Sequence, residues 1–258
     1  MENSSINLEI RDFIATITIN RPSKLNALNK EAVYRFRDIL NDLEKNDAVR
    51  AIIITGAGDK SFCVGTDVEW LNEWTIQEEL SYNGQNLVSQ IENMPQPVIA
   101  AVNGYALGGG CEMILGCDIR ICSEKAKMGL PEVDLGVIPA YGGTQRLARY
   151  VGVGKAKELL FTGDMIDASE AKNIGLVNKV VVHEELMDEA LKMAAKIASK
   201  GPLAVRFVKM SVNMSSSIDL SSGMIWEKMV QGVLLGTEDK TEGIAAFIEK
   251  RKPIFKGK

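Results

Sequence analysis

Apolar and polar residues alternate over residues 6–10 and again at Phe13, Ala15, Ile17 and Ile19, on either side of Arg11-Asp12. A period of two predicts a hairpin or two adjoining strands. After the break at Asn20-Arg21-Pro22-Ser23-Lys24 the spacing lengthens: Val33, Phe36, Ile39, Leu40 and Leu43 fall on one helical stripe behind Asn29, a residue type that caps helices. Residues 50–55 are largely β-branched without alternation, as in a strand buried on both faces, and Gly56-Ala57-Gly58-Asp59 ends them. Residues 61–68 then read as a loop leading into a helix with Asp67 near its start, and a further helix is expected over 80–92.

A third unit begins with the apolar run 97–102, which ends at Asn103-Gly104. It continues as a tight glycine turn and a helix over 109–117. Residues 118–122 read as a strand and 127–130 as a short extended segment, and Pro131 bars a helix from running through it. Residues 136–144 are rich in turn formers, with Thr144 as a cap for a helix through Tyr150. Beyond Gly154 helices are expected over 155–161, 168–174, 184–199, 202–214, 220–235 and 241–250, interrupted by a strand-like run at 177–182. There is no exact repeat, yet strands followed by helices recur through about residue 150. The expected architecture is an α/β core over residues 1–195 with a helical C-terminal region over 196–258.

Composition narrows the function. The 258 residues are 46% hydrophobic and 25% charged, as in an ordinary globular chain. The net charge of −4 argues against a general nucleic-acid binder, while a local basic patch for a phosphorylated small molecule stays open. No apolar run approaches the roughly 18 residues of a membrane span, and Met1-Glu2-Asn3-Ser4-Ser5 lacks the basic and apolar parts of a signal peptide, so a cytoplasmic protein is expected. Cys63, Cys111, Cys117 and Cys122 show no C-x-x-C spacing and read as reduced, mostly buried thiols. A single histidine, His183, precedes an amphipathic helix and is expected at the surface. A metal site or a His-dependent triad is therefore disfavoured, since such sites draw on several His or Cys ligands or on a placed imidazole.

Carboxylates and backbone donors remain as candidates. Gly108-Gly109-Gly110 stands where a helix begins, and the first N–H groups of a helix lack intrahelical acceptors and carry the positive end of its dipole. An oxygen that becomes negative during a reaction can rest there, or the triplet can be a tightly packed turn that binds nothing. Glu112 lies just inside that helix before Met113-Ile114-Leu115, and Glu132 stands between Pro131 and Val133. Carboxylates in apolar settings can share a proton and poise one as acid and one as base. Each can equally cap a helix, pair with a lysine or face water.

The ordered set Asn20-Arg21-Pro22 with Leu25-Asn26-Ala27-Leu28, then Ser61 to Asp67, Ala106 to Glu112, Leu130-Pro131-Glu132 and Ile138 to Leu147, resembles the crotonase superfamily, specifically enoyl-CoA hydratases. The likeness covers nearly the whole chain, including Thr237-Glu238-Asp239-Lys240 and residues 246–252. It implies a spiral of repeated ββα units with a helical C-terminal region that makes a homotrimer, commonly paired into a hexamer, and no cofactor beyond the coenzyme A carried by the substrate. It implies an oxyanion hole from the N–H groups of Thr66 and Gly109 around an acyl-CoA thioester carbonyl. Glu112 and Glu132 would be the coupled acid/base pair of hydration. By the same likeness the CoA portion lies along Lys24, Leu25 and Ala27 and passes Asp67 and Val68, Ala140 and Tyr141 border the acyl group, and Phe247 and Lys250 reach CoA from a neighbouring subunit. Lys24 and Lys250 remain open to a plain surface role. Thr66 stands where many hydratases have Ala, Leu130 where Gln is frequent, and Ala140-Tyr141 where small residues rich in Gly are usual. Those departures leave the acyl group open among straight-chain, 3-methylglutaconyl and cyclic dienoyl esters. Enoyl-CoA isomerisation and a non-catalytic CoA-binding role are the competing readings.

Overall fold

The structure, a computed structural model, describes residues 4–81 and 84–258. The opening alternation forms an antiparallel hairpin, β1 (Ile6–Arg11) and β2 (Ile14–Ile19), with Ile6 facing Ile19. A 3-10 turn at Pro22–Lys24 leads to α1 (Lys30–Glu44). The Asn29 side chain caps it by accepting the Ala32 N–H at 3.0 Å, and the striped residues Val33, Phe36, Ile39, Leu40 and Leu43 are all buried.

Three strand pairs follow, each closed by helices or turns. The first is β3 (Ala51–Gly56) and β4 (Ser61–Cys63), before α2 (Val68–Leu71), α3 (Ile76–Ser81) and α4 (Gly84–Asn93). The second is β5 (Val98–Val102) and β6 (Tyr105–Leu107), before α5 (Gly109–Gly116). The third is β7 (Ile119–Ser123) and β8 (Lys127–Gly129), before a 3-10 turn at Pro131–Leu135 and then α6 (Gly143–Val151) and α7 (Val153–Thr162). The chain continues through β9 (Ile166–Asp167), α8 (Ala168–Asn173), β10 (Lys179–Val181), α9 (Leu186–Ala198), α10 (Pro202–Met214), α11 (Leu220–Leu235) and α12 (Glu238–Ile248).

Each pair sends its first strand into one sheet, in the order β1-β2-β3-β5-β7-β10, and its second into another, in the order β4-β6-β8-β9. Successive pairs advance both sheets by one parallel strand, which winds the chain into a spiral of ββα units. The β-branched run of β3 is buried on both faces, as its lack of alternation requires. Ile52 and Ile54 join the main core with Phe36, Phe62 and Ile114, while Ala51 and Ile53 meet Leu186, Ala190 and Ala194 of α9 on the opposite face.

Three expectations need correction. Strands β4 and β6 span only three residues each, too few to display a period, where the sequence predicts a loop and a turn. Thr144 does not cap α6: Gly142, with φ +103°, stands at the cap and Thr144 lies within the first turn. His183 is only partly exposed at the surface, because its Nδ1 meets the Ser123 hydroxyl at 3.0 Å and its side chain is 15% exposed. The helix expected over 80–92 is met by α3 and α4, with Tyr82 and Asn83 lying outside the described residues. The four cysteines are free and buried, as expected.

The C-terminal tail is tied back onto the chain. The Asp239 carboxylate accepts the N–H groups of Lys256 at 2.6 Å and Gly257 at 2.8 Å, and Arg50 donates to the carbonyls of Ala198 and Phe255. In α11 only Val230 is buried, although the helix is apolar nearly all round. Among the described residues no helix is long and apolar enough to cross a membrane.

Candidate active site

The site grows from three chain segments that glycine allows to touch. At Gly110 a Cβ would stand 2.0 Å from the Cys63 carbonyl oxygen, so no larger residue fits where α5 starts against β4. At Gly65, with φ +92°, a Cβ would stand 2.9 Å from the Gly109 nitrogen. These approaches bring the loop after β4 against the start of α5. Gly109 is the first residue of that helix, so its N–H has no intrahelical acceptor.

Thr66 lines the same cavity as Gly109 for a different reason. It forms a parallel bridge with Leu28, whose N–H donates to the Gly65 carbonyl at 2.8 Å and whose carbonyl accepts the Asp67 N–H at 2.9 Å. In that pattern the groups of residues 65 and 67 point toward Leu28 and those of Thr66 point away from it, on the side opposite Leu28. The cavity beside it is lined by Thr66, Gly65, Gly109, Leu28, Leu87 and Met113, among others.

Tyr141 nearly fills that cavity. Its ring lies so close to Gly109 that a Cβ there would be 3.3 Å from it, and a Cβ on Gly84 would fall within 2.2 Å of the ring. Its hydroxyl meets the Thr66 hydroxyl at 3.2 Å. What remains is about 10 Å3, close to the smallest space that holds one water. Burial pushes the Tyr141 phenol above its usual range, so it stays neutral.

Glu112 lies in the first turn of α5 and is 2% exposed. One of its oxygens, Oε1, accepts the N–H groups of Tyr141 at 2.7 Å and Gly143 at 2.8 Å. Burial raises its pKa to about 8, against the Gly143 and Tyr141 N–H groups and the Arg146 charge, while the Glu132 charge adds to the rise. Glu132 is less enclosed and is raised by burial as well. Its Oε1 lies near Gly108, where a Cβ would be 3.2 Å away, and its Oε2 is buried without a hydrogen-bond partner among the described residues. The pair thus provides one carboxyl fixed by two donors and one with an oxygen left for a ligand.

The remaining residues expected at the site fall into two groups. Ala27 is buried and Asp67 nearly so, and Asp67 caps α2 through the Glu69 N–H while pairing with Arg21 at 3.2 Å. Leu25, in the left-handed region at φ +50°, and Val68 are exposed, and Lys24 pairs with Glu69 at 3.3 Å. Ala140 is exposed beside Tyr141. Phe247 and Lys250 stand exposed at the end of α12, outside the lining of this chain's cavity. Two features were not anticipated: the Gly143 N–H as a donor to Glu112, and Arg146 behind it. A Gly-Gly pair opening a helix with an arginine four residues after the first glycine is the trace they leave in the sequence. Among the described residues no group of three or more His, Cys, Asp or Glu stands ready to hold a metal.

The chain is similar to known proteins over nearly its whole length. The family model described as Enoyl-CoA hydratase/isomerase matches residues 9–258. A crotonyl-CoA hydratase of Syntrophomonas wolfei is 47% identical over 257 residues, 99% of each chain. A short-chain-enoyl-CoA hydratase of Clostridium acetobutylicum is 45% identical, covering 98% of this chain and 97% of its own. The crystal structure of an enoyl-CoA hydratase from Bacillus anthracis superposes with a TM-score of 0.96 at 40% identity, over 98% of this chain and all of that one. The chain belongs to the enoyl-CoA hydratase/isomerase family.

Proposed function

We propose that this protein adds water reversibly across the 2,3 double bond of short 2-enoyl-CoA thioesters. The observation that carries this reading is the carboxyl pair: Glu112 oriented by two N–H donors, and Glu132 with a buried oxygen that has no partner among the described residues. Attack of a water oxygen at C3 moves the π electrons through C2 onto the thioester carbonyl, and the enolate then takes a proton at C2. One carboxylate accepts the proton that water loses and one carboxylic acid supplies the proton at C2, so the two glutamates end the turn with their protons exchanged. They act as a coupled pair, and a charge on one raises the pKa of the other. Moving a double bond along the chain needs only one base shuttling one proton, so two acids favour hydration.

The developing oxyanion is received by the N–H groups of Thr66 and Gly109. One such donor contributes about 3 kcal/mol in other enzymes. The Tyr141 ring over Gly109 narrows the space for the acyl group, in keeping with relatives named for crotonyl and short-chain enoyl esters. The CoA portion runs along Lys24, Leu25 and Ala27 toward Asp67 and Val68, with no cofactor beyond the substrate's own coenzyme A. The exposed apolar side chains of α11, Leu220, Met224, Ile225, Met229 and Val233, form the contact of a homotrimer, itself able to pair into a hexamer. In that assembly Phe247 and Lys250 reach CoA in the neighbouring site.

The test is a spectrophotometric assay following loss of the conjugated thioester of crotonyl-CoA, extended to longer, 3-methylglutaconyl and cyclic dienoyl esters. Glu112→Gln and Glu132→Gln are each expected to lower turnover at least about a hundredfold while CoA-ester binding survives. Near-normal turnover in either variant would sink the two-glutamate assignment.

A further inference from the structure

Glu112 is held by a loop, and the loop is itself held from behind. The N–H groups of Tyr141 and Gly143 converge on Glu112 Oε1, and the Tyr141 carbonyl between them points the other way and accepts Arg146 Nη1 at 3.0 Å. The turn that makes this possible requires Gly142, at φ +103°, where a Cβ would stand 2.0 Å from Arg146 Nη1. On its far side Arg146 Nη2 meets Glu92 Oε2 at 2.6 Å, which anchors it to α4. Its side chain is only 14% exposed and its Nε is buried with no partner among the described residues. An arginine kept there with one donor unmet is held for the contacts its two other nitrogens make.

We propose that Arg146 is a positioning residue for the hydration reaction, bracing the 141–143 loop so that its two N–H groups hold Glu112 in one orientation. The inference rests on the acid/base reading of Glu112 given above. Arg146 is not among the residues that line the cavity. Its charge acts as well as its geometry, because it works against the rise that burial imposes on Glu112. The other ionisable groups facing Glu112 are Glu132 from the 3-10 turn, Tyr141 from the loop and Cys111 from α5. Burial keeps the phenol and the thiol neutral, so Glu132 and Arg146 carry the opposing charges.

The experiment compares Arg146→Met, Arg146→Lys and Glu92→Gln with the wild type in crotonyl-CoA hydration across pH, beside an infrared titration of the Glu112 carboxyl band assigned through Glu112→Gln. Arg146→Met should lower kcat at least about tenfold, as small misplacements of a catalytic group do, with KM changed less than about twofold. It should also move the Glu112 limb of the pH profile, and its infrared titration, upward by about one pH unit. Arg146→Lys keeps the charge but not the fork, so it should restore the titration while leaving kcat reduced. Glu92→Gln should show a smaller loss of kcat in the same sense, and with Arg146→Lys it carries the test if Arg146→Met fails to fold. Folded variants with wild-type kcat and an unmoved titration would overturn the proposal, as would a change confined to thermal stability. Absence of hydration by the wild type would remove the proposed function instead, and the infrared titration would still decide whether Arg146 acts on Glu112.

Discussion

The start of α5 and the 3-10 turn at Pro131–Leu135 each contribute one glutamate, and they are built on opposite lines. At α5, residues 110–116 are all buried, and Glu112 has one oxygen shared by two N–H groups. In the 3-10 turn no residue is buried, Leu135 is 61% exposed, and Glu132 keeps an oxygen with no partner among the described residues. One carboxyl is fixed by its own protein and the other is left for a ligand to complete. On the proposed reading, the difference teaches that the two carboxyls of an acid/base pair need not be matched in rigidity: backbone donors hold one still, and the other keeps an oxygen for a ligand to engage.

Shortening each side chain by one methylene should separate the two most sharply. Glu112→Asp withdraws the carboxylate from the Tyr141 and Gly143 N–H groups, leaving donors in a buried setting at about 1–3 kcal/mol each. It should therefore cost both turnover, about a hundredfold, and several degrees of melting temperature. Glu132→Asp has no such bonds at Oε2 to lose and should cost turnover with little change in melting temperature. Kinetics and thermal melts on the same preparations check this. Equal thermal losses in the two variants would erase the contrast.

Proton affinity offers a second cut of the same comparison, smaller in effect. The Glu112 carboxyl ionises near 4.5 when unperturbed and near 8 in the fold, raised mainly by burial. Between those values the folded chain holds a proton that the unfolded chain has released, so the contribution of Glu112 to stability is present below the lower value and is lost as pH climbs through the upper one. Glu112→Gln does not titrate there. The melting temperature of the wild type should thus fall relative to Glu112→Gln between about pH 5 and pH 8, then run parallel. Glu132, also raised by burial but less enclosed, should give the same sign with a smaller amplitude when Glu132→Gln is the reference. A flat difference for Glu112→Gln would mean that its carboxyl is ionised throughout.

Much of this could be read along the chain, and what could not has a physical reason. The β-branched run of β3, the helical stripe of α1 and its Asn29 cap are local signals, and each sits where periodicity and capping put it. Short strands such as β4 and β6 owe their existence to their neighbours in the four-stranded sheet rather than to their own three residues. At the site, the ordered motifs brought out Glu112, Glu132 and the two glycine loops through resemblance to the family. The Gly110 contact with Cys63, the Tyr141 ring over Gly84 and the Arg146 tie to Glu92 join residues about 50 positions apart. Nothing in the neighbours of any one of them announces the other, so the spiral had to be seen first.

The smallest expected effect lies on the opposite wall, where the donors belong to the backbone. Thr66→Ala keeps the N–H proposed to receive the thioester oxygen and removes only the hydroxyl that meets Tyr141 at 3.2 Å. A neutral hydrogen bond contributes about 1 kcal/mol, so kcat/KM for crotonyl-CoA should change by less than about tenfold. Freeing the Tyr141 ring from that tether should favour longer acyl chains over crotonyl, read as the ratio of kcat/KM values along an ester series. A hundredfold loss with crotonyl-CoA would assign the oxyanion contact to the Thr66 side chain. The contrast between a carboxylate side that tolerates no change and a donor side indifferent to side-chain chemistry would then fail.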